Sequence, residues 1–384
     1  MTKKTKDAMN RYFDNGSTSF PKPPAVSQAI GHYLTCCGGT YGRAAYGKVL
    51  EATKMAEQCR DRVAAILGVS DAGRVAFTAN ATSAINTIVH GMNLKGGRVL
   101  VSPMEHNAVM RPLYDLEQQG IIETEVLPAL PDGRIDPAVF CHPPHRAVKL
   151  ICCVHQSNVN GVVQPVEALC RWAGAIPVMV DATQSAGYIP VMGDGWGAEA
   201  VVFTGHKGLL GPTGTGGFYI RHPQLLHPFM QGGTGSNSEH YGMPQEMPDR
   251  FEAGTPNMAG LAGLNAALEH IPQWQITQQQ WMDWIEKLRQ QDGIRVYGAS
   301  QAEDQGKVIS FTHCTLTPST IAFELFEKHG IEVRQGLHCA PLAHRTIGTF
   351  PTGTVRVALS PYHSMDDLTY LLMAIEQIIS TGAG

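Results

Sequence analysis

The chain has 384 residues, of which 43% are apolar and 16% charged, ample for packed cores and too little charge for a disordered chain. Lys and Arg number 29 against 33 Asp and Glu, a net charge of −4, which argues against nucleic acid as the main partner. The length suits two or three domains, or one large and one small, and 41 Gly and 24 Pro without a Gly-X-Y period exclude a fibrous protein.

The N-terminal stretch MTKKTKDAMNRYFDNG is charged and lacks an apolar run, so no signal peptide is expected. Gly42-Arg43-Ala44-Ala45-Tyr46-Gly47-Lys48 follows the P-loop spacing. Val49, however, stands where a Ser or Thr would hold Mg²⁺, and no strand is predicted before it. A glycine-rich loop opening a helix is the better reading. Residues 44–67 are predicted helical, because Ala45, Val49, Ala52, Ala56, Cys59, Val63 and Ile66 recur at steps of four and three before Gly68. Short β-rich runs then alternate with helical patterns: strands at 74–78, 98–102, 147–154, 176–180 and 200–204, helices at 84–92, 111–119 and 165–173. This alternation predicts an α/β domain with a mostly parallel sheet sandwiched by helices.

The pattern changes after about residue 257. Helices dominate to 291, then strands at 307–312 and 354–359 flank a helix at 318–328. A last helix starts at Ser364, where Ser364-Met365-Asp366-Asp367 reads as a capping box with Asp in place of Glu. The expected organisation is an N-terminal segment, 1–25, packing with the small domain, a large domain at 26–256, and a small α+β domain at 257–384. No run approaches the ~18 apolar residues of a membrane span. The nine cysteines are odd in number and include no C-x-x-C pair, so neither a disulfide framework nor a zinc ribbon is expected. A reduced, cytoplasmic, soluble protein is the expectation.

Chemistry gathers at five predicted strand ends. A buried strand runs into Thr204-Gly205-His206-Lys207, and ligands on open α/β sheets bind at the carboxyl ends of strands. A lysine there can form a Schiff base with an aldehyde cofactor, although a solvated loop lysine is the commoner fate. Asp181, 26 residues earlier, ends another buried strand and suits a protonated ring nitrogen, as pyridoxal phosphate requires. Asn158 can offer an amide to the ring oxygen and His106 a ring to stack. Asn80-Ala81-Thr82-Ser83 opens a helix after a strand, a natural phosphate site. Each residue alone has a bland explanation as a cap or loop residue; five fitting strand ends in succession do not.

These residues resemble the class-V aminotransferases of the fold-type I pyridoxal-phosphate enzymes, and within them the SUF-type (group II) cysteine desulfurases and selenocysteine lyases. The resemblance spans nearly the whole chain and rests on YFDNGSTSFPKP, MEHNAV, VDATQSAG, FTGHKGLLGPTG, FEAGTPN and VRQGLHCAPLAH. It implies that Lys207 carries the cofactor, Asp181 pairs with the pyridine nitrogen and His106 stacks on the ring. Gln184 and Asn158 look like ligands of the ring hydroxyl, and Thr82, Ser83, Thr204 and His206 like phosphate ligands. Gly254-Thr255 matches a pair that the family supplies from the neighbouring subunit, which implies a homodimer with shared active sites. Cys339, five positions after Arg334, matches the sulfur-accepting cysteine, and Arg356 the arginine for the substrate carboxylate, with Arg334 nearby as a further substrate contact. A metal site from His338, Cys339 and His344 lacks ligands at standard spacing, and no metal is expected. The lysine loop, GHKGLLGP, is one residue longer than the family's usual wording, and residues 232–250 do not follow its usual hairpin.

The implied activity is conversion of L-cysteine to L-alanine with the sulfur passed to Cys339 as a persulfide, for collection by an acceptor protein or small thiol. L-selenocysteine is the alternative substrate. Another class-V aminotransferase or β-lyase, or a non-catalytic scaffold, are more distant readings.

Overall fold

The computed structural model describes residues 11–42 and 46–381. Its strands are numbered in chain order. β1 (Val75–Thr78), β2 (Gly97–Val101), β3 (Ile122–Val126), β4 (Val148–Val154), β5 (Val178–Asp181), β6 (Ala200–Thr204) and β7 (Gly216–Ile220) form one sheet in the order β1-β7-β6-β5-β4-β2-β3. The strands from β2 to β6 run parallel, while β7 lies antiparallel to both its neighbours. Helices cover both faces, which is why the inner strands are apolar at consecutive positions. Ile151, Cys153, Val180 and Phe203 face one core with Cys59 and Val63 of helix Gly47–Leu67. Leu150, Cys152, Met179 and Val202 face the other with Ile85 and Ile88 of helix Ala81–Gly91. In register, Val154 lies opposite Asp181 and Asp181 opposite Val202, so β4, β5 and β6 end nearly level along one edge.

A second, antiparallel sheet is built from β8 (Ile294–Tyr297), β9 (Val308–His313), β10 (Arg334–Gly336) and β11 (Thr354–Ala358), ordered β10-β11-β9-β8. Helices Gln278–Arg289, Pro318–His329 and Met365–Thr381 contribute to its core, with Trp281 and Trp284 stacked 5.2 Å apart. Both indoles are buried yet donate to backbone carbonyls, those of Gly306 and Leu368, so neither strands a polar group. The expected capping box forms: Asp367 Oδ2 accepts from the Ser364 backbone N–H and hydroxyl at 2.8 Å.

The N-terminal segment spans the two sheets. Phe13 is fully buried in the second core, and the backbone bonds Phe13 N–H to Glu332 O and Ala358 N–H to Phe13 O (both 2.8 Å) splice it beside β11. Six residues on, the Ser19 N–H reaches His206 O at 2.9 Å, at the end of β6.

Several elements differ from expectation. The helix predicted from residue 44 begins at Gly47, and Arg43–Ala45, within the P-loop-like run, lie outside the described residues, as do residues 1–10. Strand β7 hides in the sequence behind Gly216-Gly217. A Cβ at Gly217 would come within 2.2 Å of Ala76 O, and one at Gly216 within 2.7 Å of Asn80 Cα, so close backbone approach demands glycine inside a strand. β3 was masked by its charges: Glu123 and Glu125 protect a sheet edge by pairing with Arg98. Residues 232–250 form turns and contain neither helix nor strand. Among the described residues, no helix is long and apolar enough to cross a membrane.

Candidate active site

The site lies at the level ends of β4, β5 and β6. Beyond β6 the chain turns at Gly205, whose N–H bonds Thr215 O at 2.8 Å. Lys207 follows in a turn closed by Leu210 N–H to Lys207 O (2.9 Å), and Leu210 takes up a left-handed φ of 57° in the long lysine loop. Among the described residues the Lys207 amine has neither ion pair nor hydrogen bond. Burial pushes its pKa down to about 8, Asp181 opposes this, and Arg356 and Arg334 push the same way as burial. Asp181 is itself buried at the end of β5. Burial raises its carboxyl, while the Thr183 N–H on Oδ1 (2.9 Å) and Lys207 pull it back. Burial thus disfavours the charged form of both groups, and among the described residues the two form no ion pair with each other.

His106 stands close enough to Lys207, Arg334 and Arg356 to feel their charge. His106 caps helix Asn107–Gln118, its Nδ1 accepting from the Ala108 N–H at 3.0 Å. Burial, then Lys207, Arg334 and Arg356, lower its pKa to about 4, so the ring is neutral. Asn158 donates through Nδ2 to His338 O (2.7 Å), and Gln184 through Nε2 to Gly16 O (2.8 Å). Those carbonyls fix both amide orientations, because a carbonyl can only accept. The free atoms, Asn158 Oδ1 and Gln184 Oε1, are buried without a partner among the described residues, as is His206 Nδ1. Thr204 is buried, its hydroxyl 3.4 Å from Thr215 O. Thr82 and Ser83, at the start of helix Ala81–Gly91, line a cavity of about 470 Å³ together with Gly254 and Thr255 of the same chain.

Cys339 is exposed, on a loop following β10. His338 and Cys339 both adopt left-handed φ, 48° and 57°, a conformation uncommon for residues with a Cβ. Three bonds hold the loop: Asn158 on His338 O, the Asn107 N–H on Cys339 O (2.8 Å), and His338 Nε2 against Thr354 Oγ1 (3.0 Å). Arg334 Nη2 lies 3.4 Å from the thiol sulfur. Arg356 is completely buried on β11, directly opposite Arg334 in register.

Sequence reasoning expected the N-terminal segment to pack with the small domain but gave none of its residues a place in the site. Arg356 donates to Asn158 O (3.0 Å), Asp14 Oδ1 (2.5 Å) and Ser17 Oγ (2.9 Å). Gly16 lies flat against it: an added Cβ would sit 2.9 Å from Cζ. Gly16→Ala should therefore displace a buried guanidinium from its bonds to Asn158, Asp14 and Ser17. We expect the KM for an amino-acid substrate to rise by about tenfold, the effect of ~1.4 kcal/mol of lost binding. A native KM in steady-state kinetics would show that the guanidinium can yield. His206 O is clasped by the Ser19 N–H, the Thr18 and Ser19 hydroxyls and the Lys22 amine (2.9–3.1 Å), which anchors the peptide next to Lys207. No local pattern announces these contacts, since the partners are 184 to 342 residues apart.

Glu105 was also missed. Its Oε1 accepts from Ser102 Oγ and the Val154 N–H (both 2.6 Å), while Oε2 is buried without a partner among the described residues. Burial, aided by the neighbouring Asp181, raises its pKa to about 8, against the lowering by Ser102 and Val154. The carboxyl is therefore held neutral beneath the site. A carboxyl whose folded pKa is raised stabilises fully below its unfolded pKa and loses that contribution as pH climbs through the folded value. Glu105→Gln should thus gain in Tm relative to the parent as pH rises from 5 to 8. A Tm difference that stays flat over that window would mean Glu105 is ionised throughout.

Residues 11–371 match the class-V aminotransferase family. The chain belongs to that family. Among its class-V relatives are a probable cysteine desulfurase of Methanothermobacter thermautotrophicus, 34% identical over 97% of this chain and 95% of that one, and one of Xylella fastidiosa, 31% identical over 96% and 90%. A solved cysteine desulfurase from Thermococcus onnurineus superposes with TM-score 0.86 at 28% identity, covering 96% and 94% of the two chains. The Escherichia coli cysteine desulfurase CsdA gives 0.83 at 26%, covering 98% and 96%. The α/β architecture with a second, smaller sheet is common to this chain and those structures.

The residues present fit the class-V cofactor. Asn158 Oδ1 and Gln184 Oε1, unpartnered among the described residues, could accept from a ring hydroxyl, His206 Nδ1 and the Thr82-Ser83 helix start could bind phosphate, and the Lys207 amine lies within electrostatic reach of the Asp181 carboxylate.

Proposed function

We propose that the protein is a pyridoxal-phosphate-dependent cysteine desulfurase. One observation carries the reading: the Asp181 carboxylate, the Arg356 guanidinium and the Cys339 thiol all lie close enough to the Lys207 amine to act on it electrostatically. When bound, pyridoxal phosphate supplies an electron sink for the amino acid. Asp181 holds negative charge where a protonated ring nitrogen would need it, and neutral His106 offers a ring face. Arg356 receives the substrate carboxylate through its planar fork. Lys207, with its pKa near 8, is partly a free amine at neutral pH and is placed to take the proton from Cα.

Cys339 then attacks the substrate sulfur as a thiolate. The S–S bond of a persulfide forms, the Cβ–S bond breaks, and its electron pair stays on Cβ, which takes up a proton. L-Alanine leaves, and a thiol or an acceptor protein reduces the persulfide. The nine free cysteines accord with a reducing, cytoplasmic setting.

The reading includes a homodimer. The cavity holding Thr82, Ser83, Gly254 and Thr255 is bordered by exposed Phe229 and Met230, apolar surface that a second copy would cover. Gly254 and Thr255 line this same cavity, which puts the pair that the family shares between subunits at the face a second copy would meet.

The test is a product assay on purified holoenzyme with L-cysteine, L-selenocysteine and cysteine sulfinate in parallel. Alanine and persulfide sulfur from cysteine support the reading. A dominant kcat/KM for selenocysteine would make it a selenocysteine lyase, and keto acid in place of alanine would make it another class-V transferase or lyase.

A further inference from the structure

Arg334 and Arg356 are direct cross-strand partners on β10 and β11. Like charges so placed repel and destabilise a sheet, yet both side chains are turned toward one small polar cluster. At its centre is Ser17. Its hydroxyl accepts from Arg334 Nη1 at 2.9 Å and from Arg356 Nη2 at 2.9 Å, and it donates to Asp14 Oδ1 at 2.9 Å. A hydroxyl has one donor and two acceptor positions, so this one is saturated. Asp14 supplies the negative charge under the pair through its bond to Arg356.

The two arginines depend on this oxygen unequally. Arg356 keeps Asp14 and Asn158 O without it. Among the described residues, the Arg334 side chain has only two hydrogen-bond partners, Ser17 Oγ and the sulfur of Cys339. Ser17 therefore stands between the group that holds the substrate carboxylate and the group that holds the attacking thiol.

We propose that Ser17 is a positioning residue that ties the Arg334–Cys339 pair to Arg356, so that the thiol is set relative to the bound amino acid and senses its arrival. The proposal rests on the desulfurase reading for the roles of Arg356 and Cys339. Without the hydroxyl, Arg334 swings free of Arg356 and its positive charge no longer stays beside the sulfur where thiolate charge must develop. Carboxylate binding survives on Arg356, so the loss falls on kcat rather than KM.

The experiment compares native holoenzyme with Ser17→Ala and Ser17→Thr. It reads kcat and KM for alanine release, and iodoacetamide labelling of the Cys339 peptide by mass spectrometry with and without saturating L-alanine. A hydrogen bond to a charged group is worth enough that Ser17→Ala should lose roughly tenfold or more in kcat with KM changed by less than about threefold. Labelling of Cys339 should slow by at least roughly threefold, in line with weaker thiolate support, and should cease to respond to L-alanine. Ser17→Thr should restore each quantity toward native. Should Ser17→Ala fail to fold, Ser17→Cys fills the same space with a poor acceptor and must show the same losses.

Native kcat and native labelling in the Ala or Cys variants would overturn the proposal, as would a Thr variant, folded and cofactor-loaded, that behaves like Ala. If native enzyme makes no alanine from cysteine, the desulfurase reading fails. The labelling comparison then still reports on the Ser17–Arg334–Cys339 linkage by itself.

Discussion

Lys207→Ala, incubated with pyridoxal phosphate and then dialysed into cofactor-free buffer, is expected to show no absorbance near the visible edge, and to lose cysteine turnover by roughly 10³-fold or more, since a positioned general base alone contributes about 10²–10⁴-fold. Among the described residues the amine has no ion-pair partner, so its removal costs the fold little and the site everything. Burial, with Arg356 and Arg334, holds its pKa near 8 against the pull of Asp181. Cofactor uptake by the apo protein should therefore quicken as pH rises toward that value and level off beyond it, well below the ordinary lysine range near 10.5. Retention of a native spectrum in Lys207→Ala, or an uptake rate that keeps climbing to pH 10, would remove Lys207 from the centre of the mechanism.

Cys339→Ala should give the opposite combination: a native spectrum with alanine formation from L-cysteine reduced by about 10²-fold or more, as expected for loss of an attacking group. The side chain is exposed and lies on a loop whose backbone bonds run through the carbonyls of His338 and Cys339 rather than through the thiol. Folding and cofactor loading should not notice its removal. The other exposed cysteines, Cys36, Cys141 and Cys314, are the internal controls. If desulfuration continues at the native rate, the sulfur acceptor is one of these or an external thiol, and the contacts around Arg334 serve another purpose.

The two predictions separate the halves of the site by chemistry. Lys207 and Asp181 belong to the first sheet, Cys339, Arg334 and Arg356 to the second, and the segment from Asp14 to Lys22 fastens one to the other. That segment explains why a substitution as small as Gly16→Ala is expected to be felt at the substrate carboxylate.

The sequence alone determined the elements whose signals are local. Continuous apolar runs such as VKLICCV identify strands buried on both faces. A stripe at three- and four-residue steps identifies helix Gly47–Leu67, and Ser364 with Asp367 marks a helix start. Polar residues at the ends of such strands pointed to Lys207, Asp181, Asn158 and His106, because a parallel sheet brings its strand ends to one edge whatever the loops do. Only the tertiary structure decided what has no local signature. Strand β7 is glycine-rich because neighbouring backbone leaves no room for a Cβ, Glu105 is an ordinary acid until burial takes its water away, and Ser17 is an ordinary serine until β10 and β11 place two arginines across it. Periodicity reports the face an element turns to the core; which distant polar groups meet there depends on strand order and register, and those arise from packing across the whole chain.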